Sequence, residues 1–193
     1  PYELNISWWS AMEDSSRDAK RFQYERFILS QLLVMALKGV PAFYLPALLA
    51  SENDIKSFSM TGQRRDLNRE KFKSENLLAV LNNPESNANK NLKYLRNAMD
   101  VRSKLKQFHP CSEMKCLSKG RSDIVVIKRS KGPESVFAIH NMTENKINYQ
   151  LNDNDLPKII DNDFNTHDFL TSTKYNCKNI SLDPFQVIWL SAL

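Results

Sequence analysis

Cysteine is scarce in this chain and spaced without pattern. Only Cys111, Cys116 and Cys177 occur in 193 residues. An odd count with loose spacing argues against a disulfide framework and suits a reducing compartment, so a cytoplasmic location is expected. Cys111 and Cys116 bracket four residues, the interval of a zinc pair. No second Cys or His pair follows at matching spacing, so no metal is expected. Long apolar runs are missing too. No stretch of about 18 apolar residues exists, which excludes a membrane span. The N-terminus lacks the basic-then-apolar order of a signal peptide. It begins at Pro1 rather than Met, as if entered in mid-protein. There is no internal repeat and no low-complexity tract. No nucleic-acid motif accompanies the net charge of +5. The basic residues are scattered, with mild clusters at Arg64, Arg65 and Arg69 and from Lys115 to Lys131. They read as a solvated basic surface, and no nucleic-acid partner is expected. The sequons at Asn5, Asn141 and Asn179 match only a three-residue pattern.

What is present is ordinary globular material, 41% hydrophobic and 25% charged. That is enough for one domain or one and a half. Residues 1–14 carry Tyr2, Leu4, Ile6, Trp8 and Trp9 without helical period and read as a loop that packs aromatics. Asp14-Ser15-Ser16 offers an N-cap, with Asp18 as a near capping box. Ala19, Phe22, Leu29, Leu33 and Ala36 repeat at helical spacing, which predicts a helix from about Ser16 to Leu37, ended by Gly39. Phe27 to Leu37 is apolar on most sides and should be deeply buried. Val40 to Leu45 reads as a strand buried on both faces, as in a parallel sheet. Helix, tight turn and buried strand make half of a βαβ repeat. The polar stretch from about Ala50 to Lys73 reads as a long loop, and structureless loops of that length are usually functional.

Two helices are predicted next, near Ser74 to Leu81 and near Ala88 to Lys106. The second places Leu92, Leu95, Met99 and Leu105 on one side, and His109-Pro110 stops it. From about Cys111 the texture changes. Ile124 to Ile127, Val136 to Ile139, Ile147 to Leu151 and Phe185 to Leu190 are short β-branched or aromatic runs between turn residues, the signature of a small antiparallel β domain.

Three pieces line up in order. Gly39-Val40-Pro41-Ala42-Phe43-Tyr44, with Leu48-Leu49-Ala50 and Glu52-Asn53-Asp54, is similar to the segment around the last barrel strand of sucrose phosphorylases. Arg65-Asp66-Leu67-Asn68-Arg69-Glu70 resembles that family's Arg-(Asp/Glu)-(Ile/Leu)-Asn-Arg motif. Tyr2-Glu3-Leu4-Asn5, followed by an aromatic pair, looks like the stretch before the seventh barrel helix. The chain thus resembles the sucrose phosphorylase-like branch of glycoside hydrolase family 13, the α-amylase family, in its C-terminal part only. The resemblance covers residues 1 to about 110; the strands beyond agree in texture and position. Arg64 stands where the family usually has Gly, and Leu45-Pro46-Ala47 also departs from its pattern.

The resemblance implies an α/β fold: the C-terminal portion of a (β/α)8 TIM barrel over residues 1–110, incomplete, then a C-terminal antiparallel β domain over 111–193. It implies an α-glucosyl-transferring glycoside phosphorylase of the retaining type, with an α-D-glucoside and inorganic phosphate as partners and no cofactor. The two departures favour a relative acting on glucosylglycerate or glucosylglycerol over sucrose itself. Retention needs two carboxylates about 5 Å apart. In the family these follow earlier barrel strands, so no catalytic residue is expected here, and a missing N-terminal barrel part becomes a partner. Asp14, Glu52, Asp54 and Asp66 match none of those motifs. Arg69 is expected to hold the glucosyl unit, since a planar fork suits vicinal hydroxyls and a carboxylate together. Arg65 and Gln63 are expected toward acceptor or phosphate, and Asp66 and Asn68 to fix the loop. Without the resemblance, Arg69 reads as an ion-pair tether. His109, His140 and His167 read as structural, and Trp8 and Trp9 as packing rather than sugar stacking. The alternatives are a hydrolase or transglucosidase of the α-amylase family, or a non-catalytic sugar-binding remnant.

Overall fold

The structure is a computed structural model that describes residues 4–14, 18–118, 120–152 and 165–192. By mutual packing the chain divides into two compact units, residues 1–28 with 42–96, and 29–41 with 97–193. The polypeptide passes between them more than once, through helices α1 (Gln23–Ala36) and α5 (Asn87–Lys104).

In the first unit, α1 begins later than its periodicity predicts. The N-cap proposed at Ser15 and Ser16 lies outside the described residues. Asp18 ties the chain into a turn instead: its carboxylate accepts from the Lys20 N–H at 3.2 Å and its carbonyl from the Arg21 N–H at 3.0 Å. Phe22 then sits at φ +57°. A left-handed, non-glycine residue cannot continue a right-handed helix, so the helix starts at Gln23. Its predicted burial holds at Phe27, Ile28, Leu29, Leu32, Met35 and Ala36, while Leu37 is 43% exposed. Trp9 is buried and meets Phe27 edge-on at 5.2 Å between ring centres and Tyr24 at 6.3 Å. Such pairs add to the burial of the rings themselves.

The strand expected over Val40 to Leu45 is absent. The chain is irregular up to Tyr44, and Leu45–Leu48 forms a helical turn, α2, with Pro46 in its first turn. Val40 is 81% exposed and Tyr44 56%. A strand exists only by pairing, and no described residue offers this segment a ladder. The loop expected from Ala50 to Lys73 is likewise structured, holding α3 (Ile55–Thr61) and a 3-10 helix (Arg64–Asn68). Helix α4 (Ser74–Asn82) lies close to its expected bounds. Helix α5 buries Ala88, Asn91 and Leu95 in this unit, so its inward stripe includes an amide. Asn91 donates to the carbonyls of Ala47 and Leu48 at 3.1 and 2.7 Å, closing the C-terminal end of α2.

The second unit is built on a four-stranded antiparallel sheet in the order β1 (Glu113–Cys116), β2 (Ile124–Lys131), β3 (Glu134–Asn141), β8 (Val187–Ala192). Two small pairs accompany it: β4 (Ile147–Tyr149) with β7 (Ile180–Leu182), and β5 (Asn165–His167) with β6 (Lys174–Asn176). Alternation along the strands assigns two faces. Ile124, Val126, Phe137, Ile139, Ile188 and Leu190 point one way, into a core with Leu151, Cys177, Ile180 and Leu182. The opposite face carries Arg129, His140 and Trp189, all wholly buried. Trp189 packs at 4.7 Å on Phe108, and Ala138 pairs with Trp189 on one side and Ile127 on the other, leaving room for the indole. Strand β3 is therefore covered on both faces, which explains its unbroken run of buried residues.

Candidate functional site

The loop from Asn53 to Arg69 is locked from within. Asp54 caps α3, its carboxylate accepting from the Ser57 N–H at 2.9 Å and from the Ser57 hydroxyl. Those bonds, with Lys56 and Lys71 nearby, hold the Asp54 carboxyl below the usual carboxylate range. The other end of the helix closes at Gly62, which takes φ +68° and donates to the Phe58 carbonyl at 2.8 Å. Glycine adopts that conformation without steric cost. The Thr61 hydroxyl donates to Asp66 and accepts from the Gln63 N–H at 3.1 Å, so helix and 3-10 turn are stitched together. The Asp54 N–H reaches across to the Leu67 carbonyl at 2.9 Å and closes the base of the loop. Asn53 ties it to the N-terminal segment, accepting from the Ser7 N–H at 2.7 Å.

On this frame Gln63, Arg65 and Arg69 are exposed, while Asp66 and Asn68 are half-buried. The side-chain oxygen of Asn68 is buried and has no hydrogen-bond partner among the described residues. An acceptor left so costs about 1–3 kcal/mol unless something donates to it. Three of the carboxylates singled out in the sequence have local roles: Glu52 lies 3.8 Å from Lys20, and Asp54 and Asp66 serve the turn. Tyr2 and Glu3 lie outside the described residues.

Immediately after Arg69 the chain lines a cavity of about 390 Å3 with an apolar floor of Leu49, Phe72, Leu77 and Ala88. Sequence reasoning missed this cavity, because its walls come from α3, α4, α5 and the segment between, which no linear pattern joins. Elsewhere, His109 serves its own turn, its ring nitrogen Nδ1 accepting from the Cys111 N–H at 3.2 Å. Asn141 spends its amide inside the second unit, donating to the carbonyls of Asn145 and Asp183, so that sequon is closed off. Among the described residues no cluster of His, Cys, Asp and Glu is placed to hold a metal, and no helix is long and apolar enough to cross a membrane.

No family model matches the chain. Known proteins do. It is 32% identical to glucosylglycerate phosphorylase of Spirochaeta thermophila over 139 residues, 72% of this chain and 21% of that protein. It is 24% identical to the glucosylglycerate phosphorylase of Escherichia coli over 192 residues, 98% of this chain and 32% of that protein. Sucrose phosphorylase of Streptococcus mutans is 24% identical over 80% of this chain and 29% of that protein. Among solved structures, trehalose-6-phosphate hydrolase of Bacillus licheniformis superposes with a TM-score of 0.66 at 16% identity, over 95% of this chain and 41% of that one. The α-amylase of Geobacillus thermoleovorans gives 0.62 at 16%, over 87% and 33%. The fold is that of the α-amylase family, glycoside hydrolase family 13, whose barrel is here represented in part. The curated relatives that it resembles over most of its own length are glucosylglycerate and sucrose phosphorylases. It spans about a fifth to a third of the length of the curated relatives it matches.

Proposed function

We propose that this chain is the C-terminal part of a glycoside phosphorylase that transfers an α-D-glucosyl unit to inorganic phosphate with retention, the donor being glucosylglycerate or a close relative. In this reading residues 1–110 are the last part of the catalytic barrel and 111–193 the β domain after it. The two carboxylates of the retaining reaction lie on barrel elements other than these. Arg69 holds the glucosyl unit, Arg65 and Gln63 face acceptor or phosphate, and Asp66 and Asn68 fix the loop.

The observation that carries the reading is the braced loop itself. It has the sequence Arg65-Asp66-Leu67-Asn68-Arg69, is held from beneath by the Asp54–Leu67 and Thr61–Asp66 bonds, and leaves Gln63, Arg65 and Arg69 exposed. Sites in such barrels form at the C-terminal ends of the strands, within the βα loops. The similarity to two glucosylglycerate phosphorylases supports the choice of donor, as do Arg64 and Leu45-Pro46-Ala47, which depart from the sucrose pattern. The exposed Val40, Tyr44 and Leu45 support a further barrel part as the partner of this segment. The test is to incubate the intact enzyme with glucosylglycerate, glucosylglycerol or sucrose, with and without phosphate. Glucose 1-phosphate formed only with phosphate, and fastest from glucosylglycerate, is the expected result. Free glucose at the same rate without phosphate would make it a hydrolase of the same fold instead.

A further inference from the structure

The cavity beyond Arg69 is lined by charged as well as apolar residues. Lys56 from α3 and Lys71 and Lys73 from the segment before α4 line it, and Glu70 is the one acid among its described lining residues. Ser51, buried, and Asn76 add polar groups to the lining. The three lysines come from both sides of the loop that carries Arg69, so the loop's closure, not their order in the chain, assembles them. The field of two of them reaches Asp54, itself not part of the lining, whose carboxyl is drawn down by Lys56 and Lys71 after the Ser57 hydrogen bonds. A neutral sugar has no need of such a lining; hydroxyls are met by amides and by arginine forks. Lysine ammoniums act as point charges and suit oxygens that carry a full charge.

We propose that this cavity is an oxyanion subsite, taking the carboxylate or phosphate group of a small molecule. Under the phosphorylase reading, on which the choice of probes rests, two sources share that chemistry: inorganic phosphate, and the carboxylate of an acidic aglycone such as glycerate. Lys56, Lys71 and Lys73 are exposed, so they can be replaced without opening a core.

The experiment uses the intact enzyme with Lys71→Met and Lys73→Met, singly and together, and Lys71→Arg as a variant that keeps the charge. In the double variant KM for one anionic substrate should rise by about tenfold or more, the loss expected for charge-assisted hydrogen bonds, while KM for a neutral α-glucoside stays within about twofold. A rise for phosphate alone identifies the phosphate source, and a rise for the carboxylated donor alone identifies the aglycone. Lys71→Arg should restore most of the affinity. Calorimetric titration of phosphate and of glycerate into wild type and double variant reads the site without turnover, so it stands even if the enzyme proves to be no phosphorylase. Equal binding of both anions by the wild type and a folded double variant, or no binding by either protein, would overturn the subsite.

Discussion

The guanidinium of Arg129 donates to the carbonyl oxygen of Ala36 at 3.1 Å, across 93 positions of the chain. It also donates to Leu37 at 2.8 Å and His109 at 2.9 Å. The last carbonyls of a helix have no partner within it and carry the negative end of its dipole. A strand of the sheet thus closes the end of α1. Arg102 does the same from α5, reaching Met35 at 2.9 Å and Gly39 at 3.1 Å. Phe108 lies beneath both arginines, its ring centre 5.7 Å from each guanidinium carbon. The second unit is therefore a sheet fastened to a helix end by two arginines whose named hydrogen-bond partners are all carbonyls.

Arg129→Met should be among the most damaging single changes in the second unit. It strands the carbonyls of Ala36, Leu37 and His109 in a buried place, at a cost of about 3 kcal/mol or more. Amide exchange of Val136 to His140 in β3 should accelerate by about 100-fold. Arg129→Lys should fall between, since one ammonium cannot span the same acceptors. Unchanged exchange in the Met variant would mean that the helix end is held by other groups.

Acid should loosen the same unit through His140. Its ring is fully buried, with Nδ1 3.2 Å from the Val125 carbonyl, and burial pushes its pKa down from 6.5 to about 4. A depressed folded value means that the unfolded chain takes up the proton first. Stability is then complete above about pH 6.5 and falls as pH drops towards about 4, by about 3 kcal/mol in all. Urea unfolding between pH 7 and 4.5 should show this slope in the wild type and lose much of it in His140→Leu. The same slope in both would assign the pH dependence to other groups.

Arg69→Lys in the intact enzyme should lower turnover by roughly tenfold or more while moving the thermal midpoint little, because the charge stays and the bidentate fork goes. Full activity together with a lower midpoint would make Arg69 a tether of the loop.

The 193-residue chain by itself should self-associate. Val40 at 81% exposure, Leu4 and Met60 at 74%, Leu78 at 60% and Ile55 at 59% leave apolar surface bare, and such surface drives association. The second unit has its own core and should keep its signals from Trp189. Size-exclusion chromatography with near-ultraviolet circular dichroism checks both. A monodisperse monomer at micromolar concentration would show that the apolar surface is tolerated in water.

The sequence by itself determined the features that rest on neighbours in the chain. The α5 periodicity, its stop before His109-Pro110, and the β-branched runs at Ile124 to Ile127 and Val136 to Ile139 were legible because helix and strand periods are local. So was the Arg65 to Arg69 motif, and with it the family. Tertiary structure decided the rest. Val40 to Leu45 is apolar enough for a strand but forms none, since a ladder needs a partner that the sequence pattern of one segment cannot supply. The start of α1 was moved to Gln23 by the Asp18 turn, a hydrogen-bonded choice to which hydrophobic spacing is blind. Arg129 and Asn91 look like surface residues by type, and their burial depends on carbonyls brought to them by distant segments. The cavity lined by Lys56, Lys71 and Lys73 exists for the same reason: charges scattered along the sequence converge only when α3 and the segment after Arg69 fold against each other.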